Sequence, residues 1–319
     1  MSEAQAGAVS LARPAGLGIG RGLSLLAVLT LLWGSNWPMM KLAVGAMPIW
    51  TFRTICLLGA GIGFIGICRL TGQSFRIPRG ELKPLLAVSL FNITIWHICS
   101  AAGLVHMAAS RATIIAFTMP LWAALLAAPV LRERVPRTTV LGLVVGLAGM
   151  AVLILPEGEA LLADPLGPLF MIVAAVSWAI GTVLVKRSRF TMPITVLTGW
   201  QLLLGGVPIT LGALQFDRGF DPGAVPPGVW LATAYSVLVA TLFCHWAWFK
   251  LVHNFRAVSV AVGSLAIPVV GVAASAIGLG EPLGWDVFAA LLLVLAALFL
   301  VLIVPVLRTE AAACAPDEG

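Results

Sequence analysis

The sequence predicts an all-α membrane protein with ten transmembrane helices, arranged as two inverted five-helix repeats. Three observations predict it: an apolar composition, long apolar runs, and a resemblance between the two halves of the chain. Of the 319 residues, 60% are hydrophobic and 10% are charged, whereas an ordinary soluble domain has roughly 25% charged residues. A soluble globule cannot bury so much apolar surface. The composition therefore excludes a cytosolic enzyme, a disordered chain and a disulfide-stapled secreted domain.

The predicted spans are runs of about 20 mostly apolar residues, the length that crosses the hydrocarbon core as a helix. Their apolar residues are continuous rather than alternating, which favours helices over the strands of a membrane barrel. Short connections rich in Pro, Gly and charged residues separate them. The ten predicted spans are residues 23–43, 48–68, 84–104, 112–131, 138–156, 166–185, 193–214, 229–249, 258–279 and 284–306.

The Lys and Arg residues predict the orientation of the chain. Most of these 19 cations fall in the N-terminus, every second loop and the C-terminus. The opposite loops have only Lys41, Arg111 and Arg218, and Arg53 lies within a span. The positive-inside rule then places both termini in the cytoplasm. We interpret the net charge of +6 as a topology signal rather than a nucleic-acid-binding surface.

The two halves of the chain share short motifs at a nearly constant offset. WGSNWPMMK, which starts at Trp33, resembles WAIGTVLVK, which starts at Trp178, 145 residues later. The same offset relates MPI at 47–49 to MPI at 192–194. A Pro and a Glu also recur with the same spacing at an offset of 148, as Pro120 and Glu133 and then as Pro268 and Glu281.

Each predicted half has five spans, and this odd number inverts the second half relative to the first. The sequence therefore divides into a cytoplasmic tail (1–20), a first repeat (21–156), a second inverted repeat (157–307) and a second cytoplasmic tail (308–319). Inverted repeats are typical of secondary transporters, because closure of one repeat at one face mirrors closure of the other at the opposite face. The alternative is a gene duplication without a role in transport.

Four segments of the chain resemble the EamA-type proteins of the drug/metabolite transporter superfamily. The resemblance spans roughly residues 22–307 and departs from the family at Arg132, where the family usually has Gly. The four segments are LLWGSNWPMMKLAV (31–44), the stretch 109–154 with its Pro-to-Glu spacing and Gly-rich helix, MPITVLTGWQLLLGG (192–206) and AIPVVGVAASAIGLGEPL (266–283).

The resemblance implies a multi-pass permease of the cell inner membrane. The family includes exporters of amino acids, drugs and other metabolites, and importers of some sugars and choline-like compounds. We therefore expect an exporter of amino acids, aromatic or other neutral, and related small metabolites, working by alternating access. The alternative is a drug or quaternary-amine efflux pump, or a small-metabolite importer, of the same fold. The expected partners are a small-molecule substrate and the lipid bilayer, with the chain a monomer or weak homodimer.

Polar and aromatic side chains near the middle of the predicted spans form the candidate substrate site, because polar groups in hydrocarbon are costly and often functional. Several share helical faces by i, i+3, i+4 and i+7 spacing. An aromatic cavity with a few hydrogen-bonding groups suits a small, partly apolar solute such as an amino acid. The candidate substrate-binding residues are Trp33, Asn36, Trp37, Asn92, Trp96, His97, Phe117, Trp178, His245, Trp246 and Ser264.

Each candidate also has a structural interpretation. A mid-span Trp often packs in the core or faces lipid. Asn36 and Asn92 could bridge neighbouring helices instead of binding a solute. His97 and His245 could be packing residues, although they are the only side chains within the spans that titrate near physiological pH.

The acidic residues and motifs argue against other function classes. None of the 13 acidic residues lies deep in a predicted span, so facilitated diffusion or weak coupling stays as open as antiport. The sequence has no GxxxxGK[ST] motif for ATP. Acidic residues of the loops lack the His partners of membrane enzymes, and no rings of polar residues indicate a channel. We expect no enzyme, no metal and no cofactor.

Charged residues near the ends of spans have predicted structural roles. Arg53 is predicted to pair with Glu281 or Asp286, which lie on the same side of the membrane; alternatively, it attracts a substrate carboxylate. Glu133 and Glu281 are predicted at the N-terminal ends of the helices that follow them, where the helix dipole favours an anion.

Overall fold

The computed structural model describes residues 19–131, 137–154, 164–254, 266–304 and 307. Every regular element within these residues is a helix, which confirms the predicted all-α class. Ser264, Glu133 and nearly all of the two predicted tails lie outside the described residues.

The first half of the chain forms five helices, α1 to α5. A turn interrupts α1 at Ser35, and another interrupts α4 at Phe117 and Thr118, while α3 contains a π-helical segment at Leu90–Ile95. The bounds are Ile19–Gly34 and Asn36–Ala46 (α1), Ile49–Leu70 (α2), Leu82–His106 (α3), Ala109–Ala116 and Met119–Leu131 (α4), and Arg137–Ile154 (α5).

The second half forms the helices α6 to α10. Two of them contain π-helical segments, at Tyr235–Phe243 in α8 and at Phe299–Ile303 in α10. The bounds are Leu166–Ser188 (α6), Ile194–Phe216 (α7), Pro227–Ala234 with Tyr235–Phe243 and Cys244–Asn254 (α8), Ala266–Leu279 (α9), and Trp285–Leu298 with Phe299–Ile303 (α10).

Eight of these helices are long and apolar enough to cross a membrane within the described residues, and α5 and α9 are shorter apolar helices. Both shorter helices adjoin residues outside the description, so the count of ten spans stays a prediction. Large apolar side chains cover the outside of the bundle; Ile277 is 87% exposed and Leu231 is 72% exposed. Such a surface suits lipid rather than water.

Prolines explain the turns that interrupt α1 and α4. Proline has no N–H to donate to the carbonyl four residues earlier, and its ring clashes with that carbonyl. For Pro38 that carbonyl belongs to Gly34, and for Pro120 it belongs to Ala116. These two residues end the first segments of α1 and α4. The chain therefore bends where each proline leaves a carbonyl without its helical partner.

Hydrogen bonds between helix ends define two faces of the bundle. At the Lys41 face, Lys41 near the end of α1 donates to the carbonyl oxygens of Leu104 and Met107 at the end of α3. At the same face, Asp217 directly after α7 accepts from the backbone N–H of Thr51 near the start of α2, at 2.8 Å. Helix α2 thus begins where α7, its equivalent in the second half, ends.

The opposite face is the Glu81 face. Glu81, directly before α3, accepts from Thr191, which lies between α6 and α7. Thr195 at the start of α7 donates to Gln73, which follows α2. Because α7 begins here while α2 ends here, the two halves are inverted, as the sequence predicts.

The π-helical segments of α3 and α8 lie at equivalent positions. They begin at Leu90 and Tyr235, which are 145 residues apart. The segment in α8 has 9 residues and that in α3 has 6, so the offset grows to 148 after them. His97 and His245 are each the second residue after their segment, which makes them equivalent in the two halves.

The Gly-rich face of α5 packs against α10 inside the same chain. A Cβ added at Gly142 would lie 3.0 Å from the carbonyl oxygen of Ala297, and one at Gly149 would lie 3.2 Å from that of Ala290. These contacts bring the two helix backbones close together. They help to fix the last helix of the second half against the last helix of the first.

Candidate functional site

Two aromatic side chains from opposite halves meet where α1 packs against α8. The Trp33 ring contacts the edge of the His245 ring, with centroids 5.3 Å apart and planes at 82°. Trp33 also contacts Trp248, with centroids 5.8 Å apart. Trp33 and His245 are half-buried near the break in α1 and just after the π-helical segment of α8. The structure thus brings these two candidates together.

A second aromatic pair forms where α3 packs against α6. The rings of Trp96 and Trp178 have centroids 5.0 Å apart. Trp178 is the repeat equivalent of Trp33, and Trp96 directly precedes His97, the repeat equivalent of His245. The inverted halves therefore pair the same two helices twice, each time with a Trp of the first helix of one half against an aromatic ring of the third helix of the other.

Arg53 and His97 form a polar group next to these aromatic pairs. Arg53 Nε donates to the carbonyl oxygen of His97 at 2.9 Å, and Arg53 Nη2 donates to Ser100 Oγ at 2.9 Å. The His97 side chain interacts electrostatically with both Arg53 and His245. His97 Nδ1 is buried without a hydrogen-bond partner. His97 thus lies between the Arg53 guanidinium and the side chain of its repeat equivalent, His245.

The predicted pairing of Arg53 with Glu281 or Asp286 is wrong. Glu281 accepts from the backbone N–H groups of Ala109 and Ser110 at the start of α4. Asp286 is paired with Arg111, with Nη2 and Oδ2 2.7 Å apart. The prediction fails because the Arg53 side chain reaches along α3 away from the Lys41 face, whereas both carboxylates stay at that face.

The position predicted for Glu281 is also wrong. It lies at the start of α4 in the other half, not at the start of α10, which follows it in sequence. Ala108 precedes α4 and has no side chain that could cap it. Glu281 takes this role from across the interface, with Oε1 2.7 Å from the Ala109 nitrogen and Oε2 2.9 Å from the Ser110 nitrogen.

Asn36 joins α1 to α8 through hydrogen bonds. Its Oδ1 accepts from Ser236 Oγ at 2.9 Å. One position earlier, Ser35 Oγ lies 2.9 Å from Tyr235 Oη, which donates to the Leu32 carbonyl at 2.8 Å. These bonds occupy the polar groups at the break in α1 and at the start of the π-helical segment of α8.

Asn92 lies in the tight contact between α3, α6 and α7. Its Nδ2 donates to Gln201 Oε1 at 3.3 Å, and a Cβ added at Gly181 would lie 1.8 Å from its Oδ1. Only 7% of Asn92 is exposed. The structure therefore places Asn92 between helices, about one helical turn from the contact of Trp96 with Trp178.

Three of the remaining four candidates, Trp37, Phe117 and Trp246, lie in the described residues. Trp37 is buried in the core, against Gly271 of α9. Phe117 lies at the break in α4 and packs on the buried core. Trp246 contacts Phe243, and its ring lies 4.8 Å from Lys250 Nζ. Ser264 lies outside the described residues.

Several residues of this region are absent from the sequence-predicted set. Helical spacing contained a signal for Trp248, which follows His245 by three residues, and mid-span polarity contained one for Gln201. Nothing in the sequence identified Ser236 as the partner of Asn36 or paired Gln201 with Asn92. The residues outside that set are Ser100 beside His97, Tyr235 and Ser236 beside α1, Gln201 beside Asn92, and Trp248 beside Trp33, together with Arg53, for which the sequence suggested a substrate carboxylate only as an alternative.

A cavity of about 470 Å³ lies at the Lys41 face, not among the aromatic pairs. It is bounded by the end of α1 and the connection from α7 to α8, with Pro48, Phe216 and Phe220 in its wall. The predicted central chamber stays a prediction. Within the described residues, no group of three or more His, Cys, Asp or Glu side chains could hold a metal ion.

The EamA-like transporter family matches residues 20–155 and again residues 165–303. The chain belongs to the EamA-like transporter family. It is therefore a multi-pass membrane transporter, as the resemblance implies. The two matches nearly coincide with the two halves that the helix ends and π-helical segments relate.

Proteins similar in sequence to this EamA-like transporter are also described as transporters. It is 30% identical over 279 residues to the uncharacterized transporter YvbV of Bacillus subtilis, covering 87% of this chain and 90% of that protein. It is 27% identical to a probable amino-acid metabolite efflux pump of Salmonella typhimurium, covering 87% and 93%. It is 25% identical to the uncharacterized inner membrane transporter YedA of Escherichia coli, covering 77% and 79%.

A solved crystal structure has the same fold as this EamA-like transporter. The two superpose with a TM-score of 0.64 at 19% sequence identity, covering 91% of this chain and 99% of that one. At this identity, the likeness concerns the fold alone. It agrees with the all-helical architecture described above.

Proposed function

We propose that the protein exports amino acids, aromatic or other neutral, and related small metabolites across the cell inner membrane by alternating access. The observation that carries the proposal is the pair of aromatic contacts between equivalent helices of the two halves, Trp33 with His245 and Trp96 with Trp178. Each joins the two halves near the middle of the spans. A solute bound between them would contact both halves, which is what alternating access requires.

The chemistry of these residues supports an amino acid. Indole rings offer apolar contact to a side chain and a π-face to an ammonium group. Arg53, His97 and Ser100 add hydrogen-bonding groups beside them. The Salmonella typhimurium relative, whose printed name is a probable amino-acid metabolite efflux pump, supports the same substrate class and the direction of export.

We place the Lys41 face outside and the Glu81 face in the cytoplasm. The bias of Lys and Arg toward the loops of the Glu81 face supports this orientation, with both termini cytoplasmic. The division into two repeats, 21–156 and 157–307, is supported by the double family match. The family and the relatives are transporters, and we propose that the chain, a monomer or weak homodimer, catalyses no reaction.

The second candidate is efflux of drugs or quaternary amines. Paired Trp rings, as in Trp96 with Trp178, are the side chains that bind quaternary ammonium groups. The buried guanidinium of Arg53 opposes it, because it repels a permanent cation at close range. An amino acid combines an ammonium group with a carboxylate and fits both features.

Transport in proteoliposomes tests the proposal. Trp33→Ala and Trp178→Ala should each lower the flux of labelled tryptophan, phenylalanine or leucine by about tenfold or more, because each removes one wall of the site. Asn36→Ala should lower it less. Trp285→Ala is the matched control, because Trp285 is 73% exposed at the start of α10.

The variants must keep their purified yield and unfolding temperature near those of the wild type for the result to concern transport. If no amino acid crosses the membrane with the wild type, the substrate proposal is wrong. If Trp285→Ala impairs flux as much as Trp33→Ala, the aromatic pairs are not the substrate site.

A further inference from the structure

Arg53 is one of two buried charged side chains in the described part of the chain, the other being Asp286. It is 3% exposed, and two bonds to α3 fix it: Nε to the His97 carbonyl and Nη2 to Ser100 Oγ, both 2.9 Å. The guanidinium is therefore held in one orientation within the bundle.

The charge of Arg53 has no counter-ion among the described residues. The two carboxylates that sequence position assigned to it, Glu281 and Asp286, are engaged elsewhere. A guanidinium keeps its charge in proteins and has five N–H donors. Its contacts use Nε–H and one Nη2–H. A buried cation is costly unless paired, so an anion that reaches the three remaining donors would be strongly favoured.

A further donor lies beside the guanidinium. His97 Nδ1 is buried without a partner, and the neutral ring can carry its proton on that nitrogen. The His97 side chain interacts electrostatically with Arg53 and His245, and the His245 ring contacts Trp33. Unused donors of α2 and α3 thus adjoin the aromatic contact between α1 and α8.

We propose that Arg53 binds the carboxylate of the transported solute, with His97 Nδ1 as a second donor. This rests on the proposed transport function and narrows it to solutes with a single carboxylate. One guanidinium balances one carboxylate, and the faces of the indole rings can accept the ammonium group of an amino acid. A phosphate dianion would leave a net negative charge in the low-dielectric interior. The indole rings then receive the rest of the solute.

Matched ligands test the proposal on the wild-type protein. Tryptophan and tryptophanamide differ only in the carboxylate, and 3-indolepropionate keeps the carboxylate without the ammonium group. Binding to the detergent-purified protein, by thermal shift and calorimetry, should be about 10- to 100-fold tighter for tryptophan than for its amide, the range of a charge-assisted bond. Equal or tighter binding of the amide would overturn the proposal.

The same three kinds of ligand distinguish the carboxylate site proposed at Arg53 from the wider proposal of amino-acid export. If 3-indolepropionate binds while every amino acid fails, amino-acid export is wrong and the carboxylate site stands. If amino acids and their amides are transported equally well, export stands and the role of Arg53 is wrong. If only amines bind, both are wrong.

Variants test whether Arg53 causes the preference for the acid over the amide. Arg53→Gln should reduce the acid-to-amide preference to about one, and Arg53→Lys should keep part of it, because a lysine keeps the charge and loses the fork geometry. Arg218→Gln is the charge-matched control, since Arg218, in the exposed turn after α7, donates to Leu214 and Gln215 near the end of that helix. If Arg53→Gln does not fold, Ser100→Ala should weaken the preference several-fold by releasing Nη2. A folded Arg53→Gln protein that keeps the preference refutes the proposal.

Discussion

The two faces of the bundle join the same two halves of the chain with different chemistry. At the Lys41 face, four carboxylates of the second half bind the first half within the described residues. Three of them form hydrogen bonds with residues at or near the ends of helices, and the fourth forms an ion pair with an Arg. They are Asp164 on His106, Asp217 on Thr51, Glu281 on the N–H groups of Ala109 and Ser110, and Asp286 on Arg111.

At the Glu81 face, the direction of the hydrogen bonds is reversed. Glu81 of the first half accepts from the N–H and hydroxyl groups of Thr191 at 3.0 and 2.6 Å, and Gln73 accepts from the Thr195 hydroxyl. One carboxylate and one neutral amide thus provide the acceptors in the part of this face that the structure describes. Each half supplies acceptors at one face, as an inverted arrangement requires.

The difference in charge predicts at which face the two halves separate less easily. Hydrogen bonds to an ionised group are roughly twice as strong as neutral ones, so the described contacts stabilise closure at the Lys41 face more than at the Glu81 face. A transporter that opens each face in turn must break both sets of contacts. Changing the contacts one at a time therefore tests whether the contacts at the Lys41 face are stronger than those at the Glu81 face.

The largest effect is expected for the ion pair of the Lys41 face. Arg111→Met leaves Asp286, which is 6% exposed, as a buried carboxylate without its cation, and removes the bond from Arg111 to the Leu153 carbonyl. Breaking a buried pair in this way costs about 3 kcal/mol or more. The measurement is the thermal unfolding midpoint in detergent.

The control for this prediction is Arg218→Met, which removes an exposed cation at the same face. It should leave the midpoint nearly unchanged. Adding Asp286→Leu to Arg111→Met should restore much of the lost stability, because no uncompensated charge then remains. An Arg111→Met protein as stable as the control would contradict a charge-based closure of this face.

The next effect comes from two matched substitutions, one at each face. Glu281→Gln weakens the cap on α4 and should cost about 1–2 kcal/mol of stability. Glu81→Gln changes an exposed contact and should cost less than about 1 kcal/mol. Thermal unfolding gives both values, and equal losses would contradict the comparison between the faces.

Opening of the Lys41 face gives a second measurement for Glu281→Gln. Ser110 is 1% exposed, so a thiol at Ser110→Cys reacts only when the face opens. In a chain whose native cysteines are replaced, the reaction with a polar maleimide should be several-fold faster with Glu281→Gln than with Glu81→Gln. No difference in rate would mean that Glu281 does not control opening.

The fold follows from the sequence to the extent that its signals are local. Hydropathy adds up along each helix, so the predicted span 166–185 lies within the observed Leu166–Ser188. The repeat motifs identified Trp33 and Trp178 as equivalent. These signals predict the helices and their order, because each signal depends on residues that are close in sequence.

The contacts across the interface do not follow from the sequence, because they depend on which helices pack together. Local rules place Glu281 at the start of α10, yet the chain after α9 brings it to the start of α4. Arg53 was matched to carboxylates on the same side of the membrane, yet its side chain extends along α3. The close approach of Gly181 to Asn92 likewise needs the packed helices.

The smallest effect is expected for the most exposed contact of the Lys41 face. His106 Nδ1 lies 2.8 Å from Asp164 Oδ2, and the hydrogen bonds from His106 and from the Leu166 N–H lower the pKa of Asp164 below its ordinary value. A carboxyl group with a lowered pKa stabilises the folded state above its unfolded pKa, and this stabilisation is lost as the pH falls through the folded pKa. Asp164→Asn should thus lower the unfolding midpoint slightly at neutral pH, and the difference from wild type should shrink in acid. Asp221→Asn is the control, because the hydrogen bonds of Asp221 within the described residues stay in its own loop, where it accepts from the Gly223 N–H. A difference for Asp164→Asn that persists unchanged in acid would show that the charge of Asp164 contributes nothing to closure.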